Sequence, residues 1–382
     1  MNPGKRQLSL SRIPAHKKRR SKCDNLKKLR SDDRFDLGNT SFEDVSNELL
    51  YEVFDYLDGC DIYQAFGGLN NRFDNLLSDP SLLLKINLSS ELETKLHGLC
   101  RDVILPNRHR LRSLELSRDS LIETFFTYCS IDSSFTSLQS VVLNDISNPH
   151  VLAILSYLSC LPCLSSLTIR LEEDYFYNLS YIYRLIFRCP HLNYCKLSTL
   201  DYEEHEIVVP RSINQRPSSI ERLIINHPCT IEELTSLLLH LPSLRYLSCD
   251  QLIGSDEDQM NKRNEQLILP QLIQISITSC FVAFDDLEMF LKSISQQLRV
   301  LRLTVFGNAT YLDADRWKKL TKRHMPKLSK LYFDYESDFD EQYSACVDHH
   351  MLFWFCIEKN WSCEYRLRSY DYVLSIRPRR YC

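Results

Sequence analysis

The chain has 382 residues, 44% hydrophobic, 25% charged and 11% aromatic, a globular composition with length for two or three domains or one long repeat array. Only eight glycines are present, which leaves little to build Gly-rich phosphate loops, nucleophile elbows or dinucleotide fingerprints and disfavours most enzyme superfolds. Residues 1–34 carry 12 Lys/Arg against 3 Asp/Glu, so the net charge of −4 divides into a +9 tail and a −13 body, and no apolar run approaches the roughly 18 residues of a membrane span.

The N-terminal sequence has no apolar stretch of the secretory kind, which predicts an intracellular protein without membrane attachment. Fifteen cysteines, odd in number and irregularly spaced, are expected to be mostly small buried hydrophobes rather than a disulfide framework. Residues 1–40 form a basic segment with Lys17-Lys18-Arg19-Arg20 at its centre and too few apolar residues to offset the entropy of ordering, so disorder is expected. Such a cluster serves as a nuclear import signal, as a weak nucleic-acid tether, or merely as a solvated tail. The expected location is the cytoplasm, with the nucleus added under the first of these.

From residue 41 to about 88 the pattern becomes helical. Leu49, Leu50, Val53, Phe54 and Leu57 make one apolar stripe that Gly59 is expected to stop. Ile62, Ala65, Phe66 and Leu69 make a second, with Asp61 as its N-cap, and Phe73, Leu76 and Leu77 a third before Pro80. Three short helices carrying so many large apolar groups predict that part of the stripe faces a partner or the following domain.

The order Phe42, Val45-Ser46-x-Glu48-Leu49-Leu50, Val53-Phe54-x-Tyr56-Leu57, Asp61, Leu69-x-x-Arg72-Phe73 resembles an F-box over about 45 residues. The family commonly has Leu-Pro where Val45-Ser46 stands, and Gly67-Gly68 is expected to weaken the second helix. The resemblance implies docking on a Skp-type adaptor, and through it on a cullin-RING scaffold. Carried over by position, the adaptor contacts would be Val45, Leu49, Leu50, Val53, Phe54, Leu57, Leu69 and Phe73. The competing expectation is a helical cap over the open end of a repeat array.

From about 89 to 335 a template of apolar residues at i, i+3 and i+5 recurs nine times. It begins with Leu111/Leu114/Leu116 and Leu138/Val141/Leu143 and ends with Leu298/Leu301/Leu303 and Leu328/Leu331/Phe333. The starts are 24 to 30 residues apart, with a mean of about 27, inside the leucine-rich-repeat range. Helix-like stretches lie between at 120–129, 149–159, 179–187, 230–239, 285–293 and 314–322, with Thr230 and Glu233 spaced as a capping box. The fold expected is α/β, a short three-helix F-box-like module (41–88) before a curved, irregular leucine-rich-repeat-like solenoid of parallel strands and helices (89–382), whose last 40 residues cap it.

Positions i+2, i+4 and i+6 then face the open side of the strands. They include Arg170, Tyr194, Lys196, Arg222, Tyr246, Arg302, Lys330 and Tyr332, set against Glu115, Asp250 and Asp334. Arg and Tyr are favoured recognition anchors, which points to a target protein, although the same residues also suit a solvated sheet face. Five cations against three anions is not the positive stripe that nucleic acid needs. Cys160-Leu161-Pro162-Cys163 is read as core and turn, and Cys346, His349, His350, Cys356 and Cys363 match no standard zinc spacing. No catalytic constellation and no cofactor motif stands out, so a non-catalytic adaptor is expected, with a scaffold unconnected to ubiquitin as the alternative.

Overall fold

The computed structural model describes residues 42–172, 179–199, 207–210, 217–254, 267–338, 356, 361–367 and 371–378. The basic cluster Lys17–Arg20 and the group Cys346, His349 and His350 lie outside them. The chain divides into two units, Met1–Ser46 and Asn47–Cys382. The described part of the first is a 3-10 turn, Phe42–Asp44, closed by the Val45 N–H donating to the Phe42 carbonyl (3.3 Å).

The second unit opens with α1 (Asn47–Phe54), α2 (Gly59–Phe66) and α3 (Asn71–Ser78). Two expectations change here. The N-cap of α2 is Asp58, whose carboxylate accepts the Cys60 N–H at 2.7 Å, and Gly59 is the first residue of α2 rather than the stop of α1. The reason is steric: a Cβ at position 59 would stand 2.7 Å from Ile86 Cδ1 and 3.3 Å from Leu84 Cβ and the Lys85 carbonyl oxygen, so glycine lets this helix start lie against the neighbouring strand without displacing Ile86. The pair Gly67-Gly68 ends α2 instead of weakening it, Gly67 as C-cap and Gly68 at φ +70°. Asn70 caps α3 by accepting from the Arg72 and Phe73 N–H groups.

Twelve strands then form one mixed, mostly parallel sheet of an α/β fold. They are β1 (Leu84–Asn87), β2 (Leu111–Ser117), β3 (Ser140–Ile146), β4 (Ser166–Leu171), β5 (Tyr194–Ser198), β6 (Arg222–Thr230), β7 (Tyr246–Ile253), β8 (Gln274–Cys280), β9 (Val300–Phe306), β10 (Lys330–Asp338), β11 (Trp361–Leu367) and β12 (Asp371–Pro378). The first ten pair in sequence order and in parallel, and β12 and then β11 follow β10 antiparallel. Strand β1 already belongs to this sheet, although it falls inside the segment 41–88 assigned to the helical module.

Parallel neighbours require crossovers. Five are helical: α6 (Asp119–Tyr128), α7 (Asn148–Leu158), α8 (Leu179–Ile186), α9 (Ile231–Leu238) and α10 (Phe284–Ile294). A sixth, α11 (Ala314–His324), precedes β10. The β1–β2 crossover holds α4 (Glu93–Leu99), a π-helical turn (Cys100–Ile104) and α5 (Leu105–Asn107), which no periodicity had predicted. The capping box of α9 is formed, Thr230 Oγ1 accepting from Glu233 N (3.2 Å) and Glu233 accepting from Thr230 N (2.8 Å). In the β5–β6 crossover the described residues 207–210 have no regular secondary structure, and the N–H groups of Ile207, Val208 and Val209 donate to Glu233, Ser180 and Ser236.

The apolar template sets the register. Its i+3 residues lie side by side across the sheet, from Leu114, Val141, Leu167, Cys195 and Leu223 to Leu247, Ile275, Leu301 and Leu331. The i+5 residues form the next rung two positions on, on the same face because strand side chains alternate. All triplet residues are buried except Leu328, which is half-buried. Full burial of each Leu or Ile contributes about 1.5–3 kcal/mol, so these rungs are the core of the sheet. Nine of the twelve described cysteines are buried with them. Burial pushes the thiols of Cys100 up to about 11 and of Cys129 and Cys189 up to about 12, which keeps them protonated and unreactive. Cys160 and Cys163 differ from expectation: both are exposed, on the turn after α7, and belong to no core. Among the described residues no helix is long and apolar enough to cross a membrane.

Candidate functional site

Two surfaces carry the sequence-derived candidates. The first lies on α1–α3. Residues four apart share a helix face, and on α1 the pair Leu50 and Phe54 points inward while Leu49 and Val53 point outward at 53% and 39% exposure. Leu57, past the end of α1, is 36% exposed, and Leu69, past α2, is 57% exposed. Tyr56, at 91% exposure, extends this patch and was named in the motif but not among the contacts.

Three members of the expected contact set are buried. Leu50, Phe54 and Phe73 have at most 2% of their surface open, so they support the patch from beneath and present nothing to a partner. Phe66 sits between Phe54 and Phe73, each ring 5.2 Å away, and the three rings tie α1, α2 and α3 together. Val45 is half-buried and belongs to the unit Met1–Ser46.

Arg110, just before β2, anchors these helices to the sheet and was not predicted. Its guanidinium is 4% exposed and donates to the carbonyls of Asp79 (2.6 Å) and Leu77 (2.8 Å), to Tyr63 Oη (3.0 Å) and to Asn107 Oδ1. Leu77 lies in the last turn of α3 and Asp79 is its C-cap, so the cation is solvated by carbonyls that lack helical donors, at the negative end of the helix dipole. Asp79 in turn accepts from the Ser81 N–H (2.8 Å) and Oγ (2.7 Å) and from Tyr51 Oη (2.9 Å), bonds that hold its carboxyl below the usual range. A single buried arginine at the end of a one-turn 3-10 helix, Arg108–Arg110, leaves no periodic trace in a sequence.

The second surface is the outward face of the sheet. All eight expected residues lie on it: Arg170 on β4, Tyr194 and Lys196 on β5, Arg222 on β6, Tyr246 on β7, Arg302 on β9, and Lys330 and Tyr332 on β10. Tyr194, Arg222 and Tyr246 are register neighbours on three adjacent strands, as are Arg302 and Tyr332 on two. The Arg222 guanidinium lies 4.6 Å from the Tyr246 ring centroid and that of Arg302 lies 3.9 Å from Tyr332. Arg245, missed because it precedes the counted positions, approaches the same Tyr246 ring at 5.9 Å.

The charges on this face are not all available. Arg170 pairs with Asp145 (3.4 Å) and Asp334 with Arg377 (2.6 Å), while Glu115 accepts from Ser89 and Asn144. Among the described residues Lys196, Arg222, Arg302 and Lys330 have no carboxylate within ion-pair distance. No group of three or more His, Cys, Asp or Glu placed to hold a metal ion occurs among them either. Both surfaces are suited to binding macromolecules: one apolar and helical, one polar, cationic and aromatic. No protein-family model matches this sequence, and no curated protein matches it.

Proposed function

We propose that the chain is the substrate-recognition subunit of a Skp-cullin-F-box type ubiquitin ligase, with an F-box-like module at α1–α3 that takes the Skp-type adaptor and a target protein held on the outward face of the sheet. In this proposal β1–β10 and their crossovers are irregular leucine-rich repeats stacked as a solenoid, a reading supported by the in-register rungs. Ubiquitin transfer is accelerated by proximity, and no residue of the chain joins the chemistry. The observation that carries the proposal is the outward apolar set Leu49, Val53, Leu57 and Leu69 beside buried Leu50, Phe54 and Phe73. Large apolar groups grouped on adjoining helices favour removal from water by a partner.

A second reading, a protein-binding scaffold unconnected to ubiquitin, is favoured by Arg110, since joining α2 and α3 to the first strands is what a terminal cap does. One experiment separates the two. Purified full-length chain is mixed with a purified Skp-type adaptor, and capture is compared for wild type and for the exposed variants Leu49→Glu and Val53→Glu, whose thermal transitions are checked against wild type. Capture by wild type, lost in both variants, is expected. No capture, or capture that both variants retain, establishes the scaffold. Point substitutions are needed because deleting 41–88 would also remove β1 from the sheet.

A further inference from the structure

We propose that the outward face of the sheet reads two carboxylates placed four residues apart in an extended acidic segment of the target protein. The proposal rests on this face being the target surface, and it is independent of the adaptor. Between β5 and β10 the first two outward rows hold four cations and no anion, and none of the four is ion-paired among the described residues.

The cations form two clusters of the same composition. Arg222 on β6 is braced on Tyr246 of the next strand, with Lys196 diagonal to it on β5. Arg302 on β9 is braced on Tyr332 of the next strand, with Lys330 diagonal to it on β10. A ring under the guanidinium plane fixes the fork and leaves the N–H edges for bidentate contact with a carboxylate. The diagonal lysine stands about 7–8 Å away and adds a second donor to the same anion.

The two arginines are three strand intervals apart across the sheet and one outward row apart along it, about 16 Å at the usual spacings. Side chains on one side of an extended segment are an even number of residues apart, and of the even spacings four, about 13 Å, comes nearest to that distance, the remainder lying within the reach of the two arginine side chains. Between the clusters the first two rows of β7 and β8 carry, besides Tyr246, only Ser248, Gln274 and Ser276, polar groups that pass a backbone without competing for charge.

Fluorescein-labelled ten-residue Gly/Ser peptides with two Asp at i and i+4 or at i and i+2 would be titrated with the full-length chain by anisotropy at low salt. The same peptides carrying Asn or phosphoserine, and a single-stranded oligonucleotide, complete the set. The i, i+4 Asp peptide should bind about fivefold tighter than its i, i+2 and Asn counterparts. Arg222→Gln and Arg302→Gln should each weaken it about fivefold, Lys319→Gln on α11 should not, and added salt should weaken it. Equal binding of the two spacings, binding unchanged by both arginine variants, or binding of phosphoserine or oligonucleotide where the Asp peptide does not bind, overturns the proposal. Adaptor capture is untouched by these outcomes, so failure here is distinct from failure of the ligase assignment.

Discussion

Replacing Arg110 by Met keeps the length of the side chain and removes every donor. The carbonyls of Leu77 and Asp79, which receive bonds of 2.8 and 2.6 Å from the guanidinium, then face a buried methyl group. A buried carbonyl without a donor costs about 1–3 kcal/mol. Tyr63 Oη lies 3.1 Å from the Leu77 carbonyl and 2.9 Å from Asn107 Oδ1 and can satisfy one of these acceptors. The net loss expected is about 2–5 kcal/mol, reduced by the desolvation that the cation no longer suffers. Arg110→Lys keeps the charge but reaches fewer acceptors and should lose about half as much, while Tyr63→Phe, which leaves the guanidinium in place, should cost about 1 kcal/mol. The assay is urea unfolding of the full-length chain followed by tryptophan fluorescence and far-ultraviolet circular dichroism. An Arg110→Met chain whose midpoint matches wild type would refute the idea that this guanidinium binds α2 and α3 to the sheet.

Two further outcomes follow from local geometry. Gly59→Ala should destabilise by about 1–3 kcal/mol because its Cβ would meet Ile86 Cδ1 at 2.7 Å, and Ile86→Val in the same chain, which deletes that methyl, should recover part of the loss in thermal unfolding. Glu288 on α10 is drawn up by burial, but hydrogen bonds from Arg316 (2.8 Å) and Lys292 outweigh this and set its carboxyl below the usual range. A lowered folded-state value means stability that is present above the unfolded value and lost as pH falls through the folded one. Glu288→Gln should therefore cost about 0.5–1 kcal/mol at pH 7 and less near pH 3, measured by thermal unfolding at both; an equal cost at the two pH values would deny the ion pairs any role.

The parts of this protein legible in its amino-acid order are those written as periods. The i, i+3, i+5 template found the inward rungs of β2–β10, because alternating strand side chains and a constant repeat length leave a countable pattern. The six predicted helices were found to within one or two residues at each end, and the capping box of α9 at its exact pair, since helix period and cap chemistry are local. The same alternation put the eight outward candidates on one face without any knowledge of how far each side chain is open.

What escaped the sequence depends on residues far apart in the chain. The helix stripe at 49–57 is apolar on two sides, and only tertiary packing, seen where Phe54 meets Phe66, decides that Leu50 and Phe54 are core while Leu49 and Val53 are surface. Gly59 starts a helix instead of stopping one where Ile86, 27 residues on, crowds the place a Cβ would take. Arg110 shows no pattern at all until Leu77, Asp79, Tyr63 and Asn107 converge on it. Short-range order thus determined which segments are strands and helices and which way their side chains alternate. Tertiary packing alone decided which apolar groups remain exposed and which charges remain unpaired, because both are differences between a residue's own chemistry and whatever the fold brings against it.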